Sequence, residues 1–147
     1  MKVREIMSSN AVCCLASDTA QAVARLMRER NVGSIPVVSD QQSKKLVGMI
    51  TDRDLCMGIV ADGLDPKTTH IEKFITAHPV SCREGENLEK CERAMQEHQV
   101  RRIPVVDAED RVIGIVAQAE LALKEKPDRV HKTVAEISRV NRPSAVA

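Results

Sequence analysis

The chain is written twice. Displacing it by 68 residues lays residues 3–40 over residues 71–108 without a gap, and ten of the 38 pairs are identical. The identities are Val12/Val80, Cys14/Cys82, Arg25/Arg93, Met27/Met95, Glu29/Glu97, Val32/Val100 and all of Ile35-Pro36-Val37-Val38 over Ile103-Pro104-Val105-Val106. The offset then becomes 66, because the turn at 108–111 is shorter, and Leu46-Val47-Gly48-Met49-Ile50 falls over Val112-Ile113-Gly114-Ile115-Val116. Two copies of one plan restrict the fold to two similar units, each too small to bury much surface alone.

Each copy carries the same grammar. Residues 12–15 and 80–82 read as short strands. In residues 19–30, Ala20, Val23, Ala24 and Met27 recur at spacings of three and four, the pattern of an amphipathic helix, and Leu88, Cys91 and Met95 repeat it in 87–98. Residues 35–39 and 46–50 are β-branched runs separated by a polar turn, and 103–107 and 112–117 are their counterparts. Short helices are predicted over 52–60 and 118–124. The order β-α-β-β-α, twice, predicts an α/β (α+β) fold with helices on small mixed sheets, the two repeats packing about a pseudo-two-fold axis. The predicted layout is a first repeat at 1–60, a linker at 61–69 holding Gly63 and Pro66, a second repeat at 70–126, and a C-terminal helix and tail at 127–147.

Composition removes several function classes. Phe74 is the only aromatic residue, so no stacking platform for single-stranded nucleic acid exists, and a net charge of +1 gives no broad electrostatic footprint for DNA or RNA. The longest stretch without a charged residue, 6–17, falls well short of the ~20 residues a span needs. Together with the lack of an apolar run behind Met1-Lys2-Val3-Arg4-Glu5, this predicts a cytoplasmic protein with no membrane partner. Five scattered cysteines without a C-x-x-C are no disulfide framework and read as small hydrophobes. No nucleophile and base stand in a recognisable pattern, and no glycine-rich phosphate loop occurs, so no enzymatic activity is expected.

The paired Ile-Pro-Val-Val strands, each followed by a glycine-bearing strand, and the segment Gly48-Met49-Ile50-Thr51-Asp52-Arg53-Asp54 resemble a tandem pair of cystathionine-β-synthase-type (CBS) domains, a Bateman module. The resemblance covers roughly residues 3–124 and is greatest to small stand-alone bacterial CBS-pair proteins of the hypoxic-response type. It implies a regulatory module that binds an adenine nucleotide, AMP or ATP foremost, in the cleft between the repeats and needs no cofactor. In that family the Asp of the Gly-h-x-Thr/Ser-x-x-Asp motif takes the ribose hydroxyls and the Thr hydroxyl bonds a phosphate, roles that fall on Asp54 and Thr51. The chemistry is sound, since a carboxylate makes charge-assisted bonds to a diol. Thr-x-x-Asp at a strand-to-helix junction is equally a capping box, and one residue can serve both purposes. The family builds its sites crosswise, which implies Ile75, His78 and Val80, with Arg101, Arg102 and Ile103, as the opposite wall. Arg101 and Arg102 also read as a solvated turn after a helix C-terminus.

The second copy departs from the motif: Ala117 has no hydroxyl, and Glu120 is one methylene longer than Asp. Gly33 and Ser34 stand where the second copy has Arg101 and Arg102. One competent nucleotide site per chain is therefore expected. The family also implies a homodimer, and the lack of an effector domain implies a separate protein partner. The alternative is a structural, redox- or metal-responsive homodimer using the equivalent Cys14 and Cys82, with His78 and His70 nearby as zinc candidates. Nucleic-acid binding would rest on the local set Lys124, Lys126, Arg129, Lys132 and Arg139 alone.

Overall fold

The computed structural model describes residues 1–139; the predicted tail at 141–147 lies outside them. Two four-stranded mixed sheets account for the strands, one per unit. In chain order the elements are α1 (Val3–Ile6), β1 (Ser8–Ser9), β2 (Cys14–Leu15), α2 (Ala20–Arg30), β3 (Ser34–Val38), β4 (Leu46–Thr51) and α3 (Asp52–Leu55), which runs on as a π-helical turn, Cys56–Val60. A 3-10 turn at Ile71–Phe74 follows, then β5 (Thr76–Ala77), β6 (Cys82–Arg83), α4 (Leu88–His98), β7 (Arg102–Val106), β8 (Val112–Ala117), α5 (Gln118–Lys124) and α6 (Pro127–Ser138).

The two compact units are not contiguous stretches of chain. One gathers Met1–Asn10, Val80–Asp107 and the described residues from Ile113 onward; the other gathers Ala11–Pro79 and Ala108–Val112. Each repeat thus gives its leading segment to the other's unit. In the first unit the sheet order is β1-β8-β7-β6, and β1 pairs antiparallel with β8 through Ser8↔Ile115 and Ser9↔Gly114. In the second the order is β2-β3-β4-β5, and β5 pairs antiparallel with β4 through Gly48↔Ala77 and Met49↔Thr76. The backbone ties correspond bond for bond: the Val3 N–H donates to Glu86 O and the Ile71 N–H to Asp18 O, both at 3.0 Å.

Hydrophobic burial explains the exchange. Val3 and Ile6 are fully buried among Leu88, Met95, Ile103 and Leu121, whereas their counterpart Ile71 is fully buried among Val23, Met27, Ile35 and Ile50. Each core lacks its last apolar wall until the other repeat's leading turn arrives. The glycines of β4 and β8 let that turn close in. A Cβ at Gly114 would stand 2.7 Å from Ser8 O, and one at Gly48 would stand 2.9 Å from Thr76 O.

The duplication reaches into the dihedral angles. Among the described residues six non-glycine residues have positive φ, and they form three repeat-related pairs: Asn10 and His78, Asn31 and Gln99, Lys44 and Asp110. Asn31 and Gln99 end α2 and α4 in the left-handed conformation, a common helix stop. The expected faces of α2 and α4 are buried, except that Ala24 is exposed.

Only the second repeat is followed by a further long helix. Pro127 at its start suits the first helical turn, where the missing N–H has no partner to lose. α6 packs on α4, burying Thr133 and Ile137. Among the described residues no helix is long and apolar enough to cross a membrane.

Candidate functional site

β4 delivers Thr51 to the mouth of α3, where the chain turns from extended to helical backbone. There the Asp54 N–H donates to Thr51 Oγ1 (3.0 Å) and the Thr51 N–H donates to Asp54 Oδ2 (2.9 Å). The capping reading is therefore correct as far as it goes. The box uses the hydroxyl as acceptor and one carboxylate oxygen, so the hydroxyl proton and Asp54 Oδ1 stay outside it. Both residues are half-buried and fixed by two reciprocal bonds, an arrangement that presents a donor and an anionic acceptor at one spot.

The matching spot at the start of α5 is spent. The Ala117 N–H donates to Glu120 Oε2 (2.8 Å), and the Ser8 hydroxyl donates to Glu120 Oε1 (2.9 Å). Ala117 offers no hydroxyl, and both oxygens of Glu120 are engaged within their own unit. The extra methylene lets Glu120 reach the donated strand β1.

Ile75 and His78 lie in the same unit as Thr51 and Asp54. Ile75 packs on that unit's core, and His78 is exposed, with a left-handed backbone and its N–H donating to Val47 O (3.4 Å). Val80, Arg101, Arg102 and Ile103 lie in the other unit. Val80 packs against that unit's core and Ile103 is fully buried in it, leaving chiefly main-chain groups for a ligand. Arg101 is exposed and Arg102 half-buried, and among the described residues neither forms an ion pair. Arg101 O accepts the Gln118 N–H (2.9 Å), just as Gly33 O accepts the Asp52 N–H (2.9 Å), so each pre-strand turn abuts its own repeat's short helix.

The cysteines divide four to one. Cys13, Cys14, Cys82 and Cys91 are buried, and Cys56 is exposed, all as free thiols. Burial, with Asp18 beside it, pushes the Cys14 thiol up to about 12, so it stays protonated at neutral pH. Cys82 and Cys91 of α4 are buried in one core, where their thiols influence each other, a pairing that sequence reasoning missed. The interaction lowers the Cys82 thiol and, with burial, raises the Cys91 thiol. The signal for it was Cys91 standing where the first repeat has Val23. His70 Nδ1 meets the Ser17 carbonyl. Among the described residues no three His, Cys, Asp or Glu side chains are grouped to hold a metal ion.

Comparison with known proteins sets these features in a family. The CBS domain model matches residues 3–61 and 71–124. Hypoxic response protein 1 of Mycobacterium tuberculosis is 33% identical over 144 residues, covering 98% of this chain and 96% of the relative. The crystal structure of a Hypoxic Response Protein I with two coordinated zinc ions superposes with a TM-score of 0.76 at 32% identity, over 86% of this chain and all of the other. The CBS domain pair of protein MJ0100, in complex with 5-methylthioadenosine and S-adenosyl-L-methionine, superposes with a TM-score of 0.74 at 25% identity, over 84% and 94% of the two chains.

Proposed function

Because the chain belongs to the CBS-domain family, we propose that it is a regulatory sensor that binds an adenine nucleotide or a related adenosyl compound and catalyses no reaction. The observation that carries this reading is the Thr51–Asp54 pair, held rigid by its own capping box with one carboxylate oxygen and a hydroxyl proton to spare. Asp54 takes the ribose diol and Thr51 the first phosphate. Ile75, His78, Val80 and Ile103 contribute to the adenosine wall, and the guanidiniums of Arg101 and Arg102, which form no ion pair among the described residues, take the phosphates. The spent Glu120 supports one such site per chain rather than two. The adenosyl ligands of the MJ0100 pair support the ligand class. AMP and ATP head the candidates.

The protein acts in the cytoplasm as a homodimer, and its response passes to a separate protein. A ligand changes that response only by binding one arrangement of the molecule better than another. Exposed Met57 and Leu123 occupy repeat-equivalent places on the short helices, and they support self-association.

Thermal shifts with adenine and guanine nucleotides test the proposal. Ligand at a hundred times its Kd adds about 2.7 kcal/mol, which in a chain of this size is a rise of roughly 5–10 °C. At least one adenine nucleotide is expected to give it, with the rise abolished in Asp54→Ala and reduced in Arg102→Ala. Silence across the whole panel, or a rise untouched by Asp54→Ala, refutes the site.

A second reading, a zinc- or thiol-responsive dimer, is favoured by the zinc ions of the Hypoxic Response Protein I structure. Against it stand the protonated, buried Cys14 and the pairing of Cys82 with Cys91. A melting point moved by chelator or reductant and by no nucleotide would favour it.

A further inference from the structure

Where α6 lies on α4, the two helices leave a groove of about 210 Å³, several times the space of one water molecule. Glu92 lines it and is only 3% exposed. One carboxylate oxygen accepts from Arg129, but Oε1 is buried with no hydrogen-bond partner. An unsatisfied buried acceptor is costly, and protonation would only turn it into an unsatisfied donor. The repeat makes the residue more telling. Its counterpart in α2 is Ala24, which is exposed, so a carboxylate stands on the one helix face that α6 covers.

The rest of the lining narrows what could meet Oε1. Arg93 and Lys132 border the same groove and form no ion pair among the described residues. Gln96 Nε2 donates to Thr133 Oγ1 (3.0 Å), which ties the two walls together. A metal ion is disfavoured by the Arg129 guanidinium already on Glu92. A plain cation would face Arg93 and Lys132, and a plain anion would face Glu92. A ligand carrying both charges satisfies all three groups.

We propose that the α4–α6 groove is a binding site for a small zwitterion of the α-amino-acid class, its ammonium on Glu92 Oε1 and its carboxylate on Arg93 and Lys132. The site is independent of Thr51 and Asp54, so it stands or falls separately from the nucleotide proposal.

The probes are the twenty L-α-amino acids, each tested up to millimolar concentration by calorimetry and thermal shift on the full chain. At least one should bind. Its methyl ester and its N-acetyl derivative, each lacking one charge, should bind about tenfold more weakly or worse. Glu92→Gln and the exposed-site variant Arg93→Gln should each weaken the same amino acid about tenfold, while adenine-nucleotide shifts persist. Arg93→Gln keeps the test open if Glu92→Gln fails to fold. No binding by any of the twenty, or binding unchanged by Arg93→Gln and by the esterified ligand, overturns the proposal.

Discussion

Replacing Gly114 by alanine probes the exchanged strands most directly. A Cβ there would sit 2.7 Å from Ser8 O and 3.0 Å from Met7 Sδ, where an ordinary contact begins at 3.4 Å. The methionine can swing away, but the oxygen is main chain and moves only if β1 moves. β1 is held to β8 by just two residue pairs, so the strand must shift or peel. Overpacking of this kind costs about 1–3 kcal/mol, and at about 2–4 °C per kcal/mol the melting point should fall by roughly 2–12 °C. Gly48→Ala should behave alike, because its Cβ would meet Thr76 O at 2.9 Å. Gly85→Ala is the control: nothing lies within 4 Å, and the change should stay within about 0.5 kcal/mol. Calorimetric melts of the three variants, with amide exchange at Ile115 as a local reporter, decide the matter. If Gly114→Ala melts with Gly85→Ala and Ile115 stays protected, steric closeness of the donated strand does not govern this edge.

Without ligand, Thr51→Ala should cost about 1 kcal/mol by removing the hydroxyl half of the capping box, measured by urea denaturation. A thiol reagent should label one of the five cysteines, Cys56, quickly in the folded protein and the other four only on unfolding; rapid labelling of two or more would contradict the burial. Burial raises the Glu92 carboxyl, with Arg129 opposing. The folded state therefore holds this proton to higher pH than the unfolded chain does. Its contribution favours folding most at low pH and is lost as pH rises through the folded value. Urea melts from about pH 4 to about pH 7 should show that Glu92→Gln gains stability relative to wild type as pH rises; a difference flat in pH would refute the assignment.

Much of the architecture was legible because repetition multiplies weak signals. A run such as Ile35-Pro36-Val37-Val38 is ambiguous once and decisive twice, and α2, α4, β3, β4, β7 and β8 form within a residue or two of their expected places. The exchange of leading segments was not legible. Val3 and Ile71 look alike in sequence, and nothing local tells an apolar residue which of two similar cores it will enter. The strands β1 and β5 escaped notice for a related reason: two polar or small residues carry no alternation, and their pairing is read only in Gly114 and Gly48 opposite them. At the site, sequence offered Thr-x-x-Asp with two meanings, and the structure confirms the capping box while leaving groups outside it. The fate of Glu120 needed coordinates, because its partner Ser8 lies 112 positions away. The burial of Glu92 likewise needed coordinates, because only α6 lying on α4 covers it.

Lending the leading segment across the chain also sets a timetable for synthesis. Ser8 and Ser9 leave the ribosome roughly a hundred residues before Gly114 and Ile115, a wait of about 5–20 s at ordinary elongation rates. The first repeat waits far less, because Ile71, which completes its core, follows soon after its own last helical turn. The core built from residues 12–75 can therefore close as its stretch emerges, whereas the other cannot: the nascent chain carries Val3 and Ile6 uncovered until the last strand arrives.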